Sequence, residues 1–168
     1  MNLKAEYEQD FHQWINHHIT LLKERRFNEI DVEHLIEELE DMGKSNLREL
    51  RSRLIVLVAH LLKWEHQLKL LQNKWDSYTG KSWKGTIIVQ RSGIIDLLQE
   101  NPSLKRFLLD AISESYPTAL KSAIAETGLP KSAFPNECSY TIEQLLDEDF
   151  YPESKESDSQ NNVDTVRT

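Results

Sequence analysis

Apolar positions recur along this chain at a spacing of three to four residues. Tyr7, Phe11, Trp14, His18 and Leu21 share one face and predict an amphipathic helix over residues 4–26. Asp31 stands where an N-cap belongs, with acidic Glu33 in the first turn after it. Leu35, Leu39, Met42, Leu50, Leu54, Leu57, Leu61 and Trp64 then carry one stripe to about Asn73. That stripe predicts a single long helix, kinked or split at Gly43, because glycine costs about 1 kcal/mol relative to alanine in a helix interior.

Lys81 to Glu100 supports two assignments. The run TIIV, with Gly85 and Gly93 nearby, suits a short buried strand. Trp83, Ile87, Ile94 and Leu98 suit a helix face, and the chain offers no partner strand, so the segment is predicted helical. Ser103, after Pro102, is expected to N-cap a further helix through Leu108, Ile112 and Leu120. That helix should bend at Pro117 and stop at ETGLP, where Gly128 and Pro130 form a C-terminal signal. TIEQ, beginning at Thr141, is a capping box that opens a short last helix. From Glu153 onward the chain is polar and acidic, the composition of a disordered tail. The expected fold is all-α: a helical bundle of about five helices with a long central helix. One helical domain over residues 1–152 is followed by a disordered acidic C-terminal tail over 153–168.

Composition narrows the setting. A chain of 168 residues buries a core without disulfides or a structural metal. Its one cysteine, Cys138, has no internal partner, which points away from an oxidising compartment and toward the cytoplasm. The first residues lack the apolar run and cleavage site of a signal peptide. The nine-residue run Leu54–Leu62 falls far short of the roughly 20 residues a membrane span needs, so no membrane association is expected. The formal net charge of −8 argues against broad coating of nucleic acid. The charge is unevenly spread, however. Lys63, Lys69, Lys74, Lys81, Lys84 and Arg91 face only Glu65 and Asp76 between positions 63 and 91, a local charge of +4.

The motifs YEQDFHQW, EHLIEELEDMG, SRLIVLVAHLLKW, SWKGTIIVQR, NPSL and YTIEQLLDEDF, in that order from Tyr7 to Pro152, resemble a bacterial family, frequent in cyanobacteria. It is catalogued as domain of unknown function 29. Ser139 departs from that pattern, which has a proline before the tyrosine. The resemblance implies an intracellular, all-helical protein. It implies no activity and supplies no catalytic residues.

Candidate chemistry must therefore come from the residues themselves. On an α-helix, positions seven apart differ by about 20° around the axis, so Arg53, His60 and Gln67 share a face, with Glu49 and Trp64 near the same line. His60 interrupts the apolar run Leu54–Leu62. In the simplest reading it hydrogen-bonds within the core, while Glu49 and Arg53 form an i,i+4 pair. In the sharper one, Arg53 stabilises phosphate charge and His60 acts as acid–base in an RNA-cleaving helical bundle. A metal centre fits poorly. Six histidines are present, but no glutamate has a histidine three residues later, and there is no HExxH. No metal or other cofactor is expected.

Trp64, Trp75 and Trp83 lie in the basic segment, where aromatics among lysines suit base stacking and phosphate contact. Lys81, Lys84 and Arg91 are the nucleic-acid-binding candidates. No recognisable nucleic-acid module accompanies them. Two function classes remain. The first is a non-catalytic protein-interaction or regulatory module with a protein partner or a homo-oligomer. The alternative is a nucleic-acid-associated protein, RNA-cleaving if Arg53 and His60 form its site.

Overall fold

A computed structural model, which describes residues 2–155, is all-α. Six α-helices and no strand are present among the described residues: α1 (Leu3–Gln9), α2 (Phe11–Lys23), α3 (Val32–Lys74), α4 (Lys81–Glu100), α5 (Leu108–Thr127) and α6 (Ile142–Leu146). The helix expected over 4–26 is two helices. Asp10 leaves helical geometry (φ −146°, ψ 81°), and its side chain accepts from the Gln13 N–H, so it ends α1 and caps α2. By contrast, α3 runs 43 residues without a break at Gly43.

The segment 81–100 is helical, as its apolar face predicts. Gly80 precedes it in the left-handed region (φ 67°), where an added Cβ would lie 2.8 Å from Leu68 Cδ1, so both backbone and packing require glycine. Ser103 does not cap α5. Pro102–Phe107 forms a 3₁₀ segment, and α5 begins only at Leu108. That helix passes through Pro117, whose ring lies on an exposed face, and ends at left-handed Gly128. Thr141 and Gln144 complete the capping box on α6.

The described residues group into two compact units, with the boundary between Asn46 and Leu47 inside α3. The N-terminal unit holds α1, α2 and the start of α3. Trp14, His18 and Leu21 are buried in it. His18 Nδ1 donates to the Trp14 carbonyl at 2.9 Å, and Nε2 accepts from the Asp31 N–H at 3.0 Å, which fixes the tautomer and anchors the entry to α3. Tyr7 stacks on His34 and donates to Glu38. Asp31 and His34 pair at 2.6 Å.

The C-terminal unit holds one core. Leu50, Leu54, Leu57 and Leu61 of α3 pack with Ile87, Ile94 and Leu98 of α4, Leu108, Ala119 and Ala123 of α5, and Leu145 of α6. Of the stretch expected to form a tail, Glu153 to Lys155 are described. The Lys69 N–H donates to Ser154 Oγ at 2.9 Å and the Lys155 N–H to the Glu65 carbonyl at 2.7 Å. Residues 65 and 69 are the two ends of one helical rung, so the C-terminal segment is stitched to α3 there. The rest of the expected tail, 156–168, lies outside the described residues.

Candidate functional site

The stripe that includes Arg53 and His60 ties α3 to its neighbours in the C-terminal unit. Arg53 Nε donates to Glu49 at 2.9 Å, and Nη1 reaches Gln90 Oε1 of α4 at 3.4 Å. Its guanidinium lies over Gly93, where a methyl group would sit 2.6 Å from Cζ. His60 is half-buried. Its Nδ1 donates to the Val56 carbonyl at 2.8 Å, so Nε2 is the acceptor for the Lys63 ammonium at 3.2 Å. Burial, helped by that ammonium, lowers the His60 pKa and keeps the ring neutral. Lys63 is buried and also donates to Glu126 of α5, with its ammonium 5.5 Å from the Trp83 ring centre. Gln67 donates to the Thr127 carbonyl at 3.2 Å. Arg53 is thus engaged with α4, while His60, through Lys63, and Gln67 are engaged with the end of α5. Both polar atoms of the His60 ring already have partners.

The three basic candidates differ in place. Lys81 and Lys84 are exposed on the first turn of α4. Arg91 is buried, and its Nε, Nη1 and Nη2 donate to the carbonyls of Leu145, Glu148 and Phe150 at 2.9, 3.4 and 3.0 Å. Desolvation lowers its pKa from the free value. Tyr151 lies 4.9 Å from Trp64, ring centre to ring centre, with Lys84 and Arg91 at 5.5 and 5.7 Å from its own ring. The Tyr151 ring is thus engaged by Trp64, Lys84 and Arg91 of its own chain. Trp75 remains half-exposed, with Lys74 over its ring at 4.8 Å.

Two features escaped the sequence pattern. The first is a buried cluster around Glu65, whose carboxylate accepts from Tyr140 at 2.6 Å and pairs with Lys155 at 2.6 Å. Burial pushes that carboxyl up, but the two hydrogen bonds together with the neighbouring positive charge bring the net shift downward. The second is an uncovered apolar face in the N-terminal unit. A groove of about 340 Å³ there is lined by Phe11, Trp14, Ile15, His18, Ile19 and Leu22 of α2 and by Leu35, Glu38, Leu39 and Met42 of α3. Leu39 and Met42 are 59% and 66% exposed. Periodicity predicted this face but not that it would lie open.

The order of motifs along these helices finds its counterpart in one family model, Domain of unknown function DUF29, which matches residues 6–151. The chain belongs to the DUF29 family. The DUF29 match takes in the apolar face, the Arg53–His60 stripe and Tyr151, and stops before Ser154 and Lys155. No curated protein matches the chain, and no solved structure does. No group of three or more metal-ligating side chains is present among the described residues of this DUF29 chain. No helix among them is long and apolar enough to cross a membrane.

Proposed function

We propose that this DUF29 protein is a cytoplasmic protein-interaction module that works without catalysis and docks through the apolar face of α2 and the first part of α3. The observation that carries the proposal is the concentration of exposed apolar side chains there. Of twelve exposed large hydrophobic residues among those described, eight lie between Phe11 and Met42, seven of them on α2 or α3. Contiguous exposed apolar patches of this kind mark interaction sites, since a free one raises the cost of solvation and invites aggregation. The test compares full-length wild type with Leu39→Asp/Met42→Asp as baits in host lysate. Wild type is expected to retain a partner that the variant loses. Identical captures by both would sink the proposal.

The nucleic-acid reading draws support from exposed Lys81 and Lys84 and from Trp75 under Lys74. It competes with the engagement of Arg91 and Tyr151 in the fold. Polarisation titration of labelled single-stranded RNA at low and moderate salt tests it, with products run on a gel beside His60→Ala. Salt-sensitive micromolar binding would move that reading ahead, and cleavage lost in the variant would assign His60 to its site.

A further inference from the structure

We infer that the open face of the N-terminal unit is closed by a second copy of the same chain, two α2–α3 pairs assembling about a two-fold axis into a four-helix bundle. This rests on the interaction reading above and names its partner. The argument begins with the helix itself. At 100° per residue, Ile36, Leu39, Met42 and Gly43 of α3 fall within an arc of about 120°, while Glu37 and Asp41 lie on the opposite side. Leu50 and Leu57 fall on the same arc one to two heptads later, where they are fully buried against other helices. One stripe is thus sealed in the C-terminal unit and open in the N-terminal one.

Gly43 adds an independent sign. A Cβ there would meet nothing within 4 Å among the described residues, so no contact between them asks for glycine, although glycine weakens a helix. It sits within the apolar arc, where a missing side chain lets another helix approach closely. A two-fold contact places each residue near its own equivalent, and Gly43 against Gly43 is the closest such approach this face allows.

Area and composition choose between occupants. Phe11, Ile19, Leu22, Ile36, Leu39 and Met42 are 43–66% exposed. At roughly 200 Å² for each large side chain they offer about 600 Å². The polar rim brings that toward the about 800 Å² per partner of a standard interface. Residues 156–168 cannot fill the face, since Val163 and Val166 are their only large apolar side chains. Two helices with one shared apolar face are half of a four-helix bundle, and an identical pair supplies the other half. Because residues 1–46 carry eleven acidic and five basic side chains, the pairing brings like charges together. Added salt should therefore tighten it, whereas a basic partner helix would be loosened.

The experiment is sedimentation equilibrium of the full chain at low and moderate salt. Wild type should form dimers that strengthen with salt. Leu39→Asp/Met42→Asp should weaken association about 100-fold while keeping wild-type helicity, because both positions are exposed in the single chain. Gly43→Cys in a Cys138→Ser background should oxidise to a cross-linked dimer. A wild type that stays monomeric, a dimer untouched by the double substitution, or one loosened by salt would each overturn the closure of this face by a second copy. A monomeric wild type that captures a protein lost by the variant leaves the interaction reading standing. A monomer with identical captures removes both.

Discussion

The two halves of α3 have similar periodicity and different fates. After Leu47 its stripe is the floor of the core, and 23 of the 25 buried apolar residues of the described chain belong to that unit. Before it, the same arc is open, and only Trp14 and Leu21 are buried apolar residues. Hydrophobic spacing reports that a helix forms and which face is apolar. It carries no information on what covers the face, because that depends on how many other helices the rest of the chain can bring to it.

The contrast predicts unequal responses to the same substitution. Leu57→Ala should cost about 2–5 kcal/mol, since Leu57 is fully sealed and a packed core relaxes only partly into the space left. Leu39→Ala, in dilute protein, should cost no more than about 0.5 kcal/mol. Denaturant titration of both variants checks this. Equal losses would break the comparison, because they would mean that Leu39 is already buried in the dilute protein.

Arg91 sharpens it from the other side. Arg91→Met removes the donors to three carbonyls of α6 and the segment after it and should cost roughly 2–4 kcal/mol. Hydrogen exchange of residues 145–151 should quicken while that of the N-terminal unit stays as it was. Unchanged exchange in that segment would show that Arg91 does not hold it.

Much of this was legible beforehand. The stop at Gly128 and the capping box at Thr141 follow from terminal residues alone, whereas the helical form of α4 follows from its apolar face only once the lack of a partner strand is added. Apolar periodicity continues across the break at Asp10 and hides it, and only the competition of an aspartate side chain for the Gln13 N–H marks the boundary. Arg91 looked like a phosphate ligand for a related reason. Charge is visible in a sequence, but the carbonyls that engage it lie more than fifty residues away. Glu65, Tyr140 and Lys155 were invisible as a cluster because their meeting is purely tertiary.

The C-terminal unit should also carry a pH signature. Burial lowers the pKa of His60 and of His66 below the ordinary value of 6.5, so both are neutral in the fold and bind protons more readily when it opens. Their contribution is complete above pH 6.5 and is lost as pH falls from there through the lower folded values. Glu65 has a lowered carboxyl pKa, so its contribution fades only below its ordinary 4.5. The denaturation midpoint should fall between pH 7.5 and 5.5, with a shallower slope in His60→Gln. A midpoint that rises on acidification would contradict the neutral assignment.

The smallest expected effect separates two glycines inside helices. Measured where the chain is monomeric, Gly43→Ala should stabilise by about 1 kcal/mol, since it gains helix propensity and its methyl meets nothing. Gly93→Ala makes the same propensity gain, but its methyl forces the Arg53 guanidinium away from Glu49 and Gln90, so the net change should be near zero or unfavourable. In an Arg53→Ala background, Gly93→Ala should recover the full gain, and the difference between backgrounds is the coupling between those two positions. A Gly93→Ala gain as large with Arg53 as without it would mean that Arg53 does not lie on α4, and the tie between the two helices would have to be drawn from other residues.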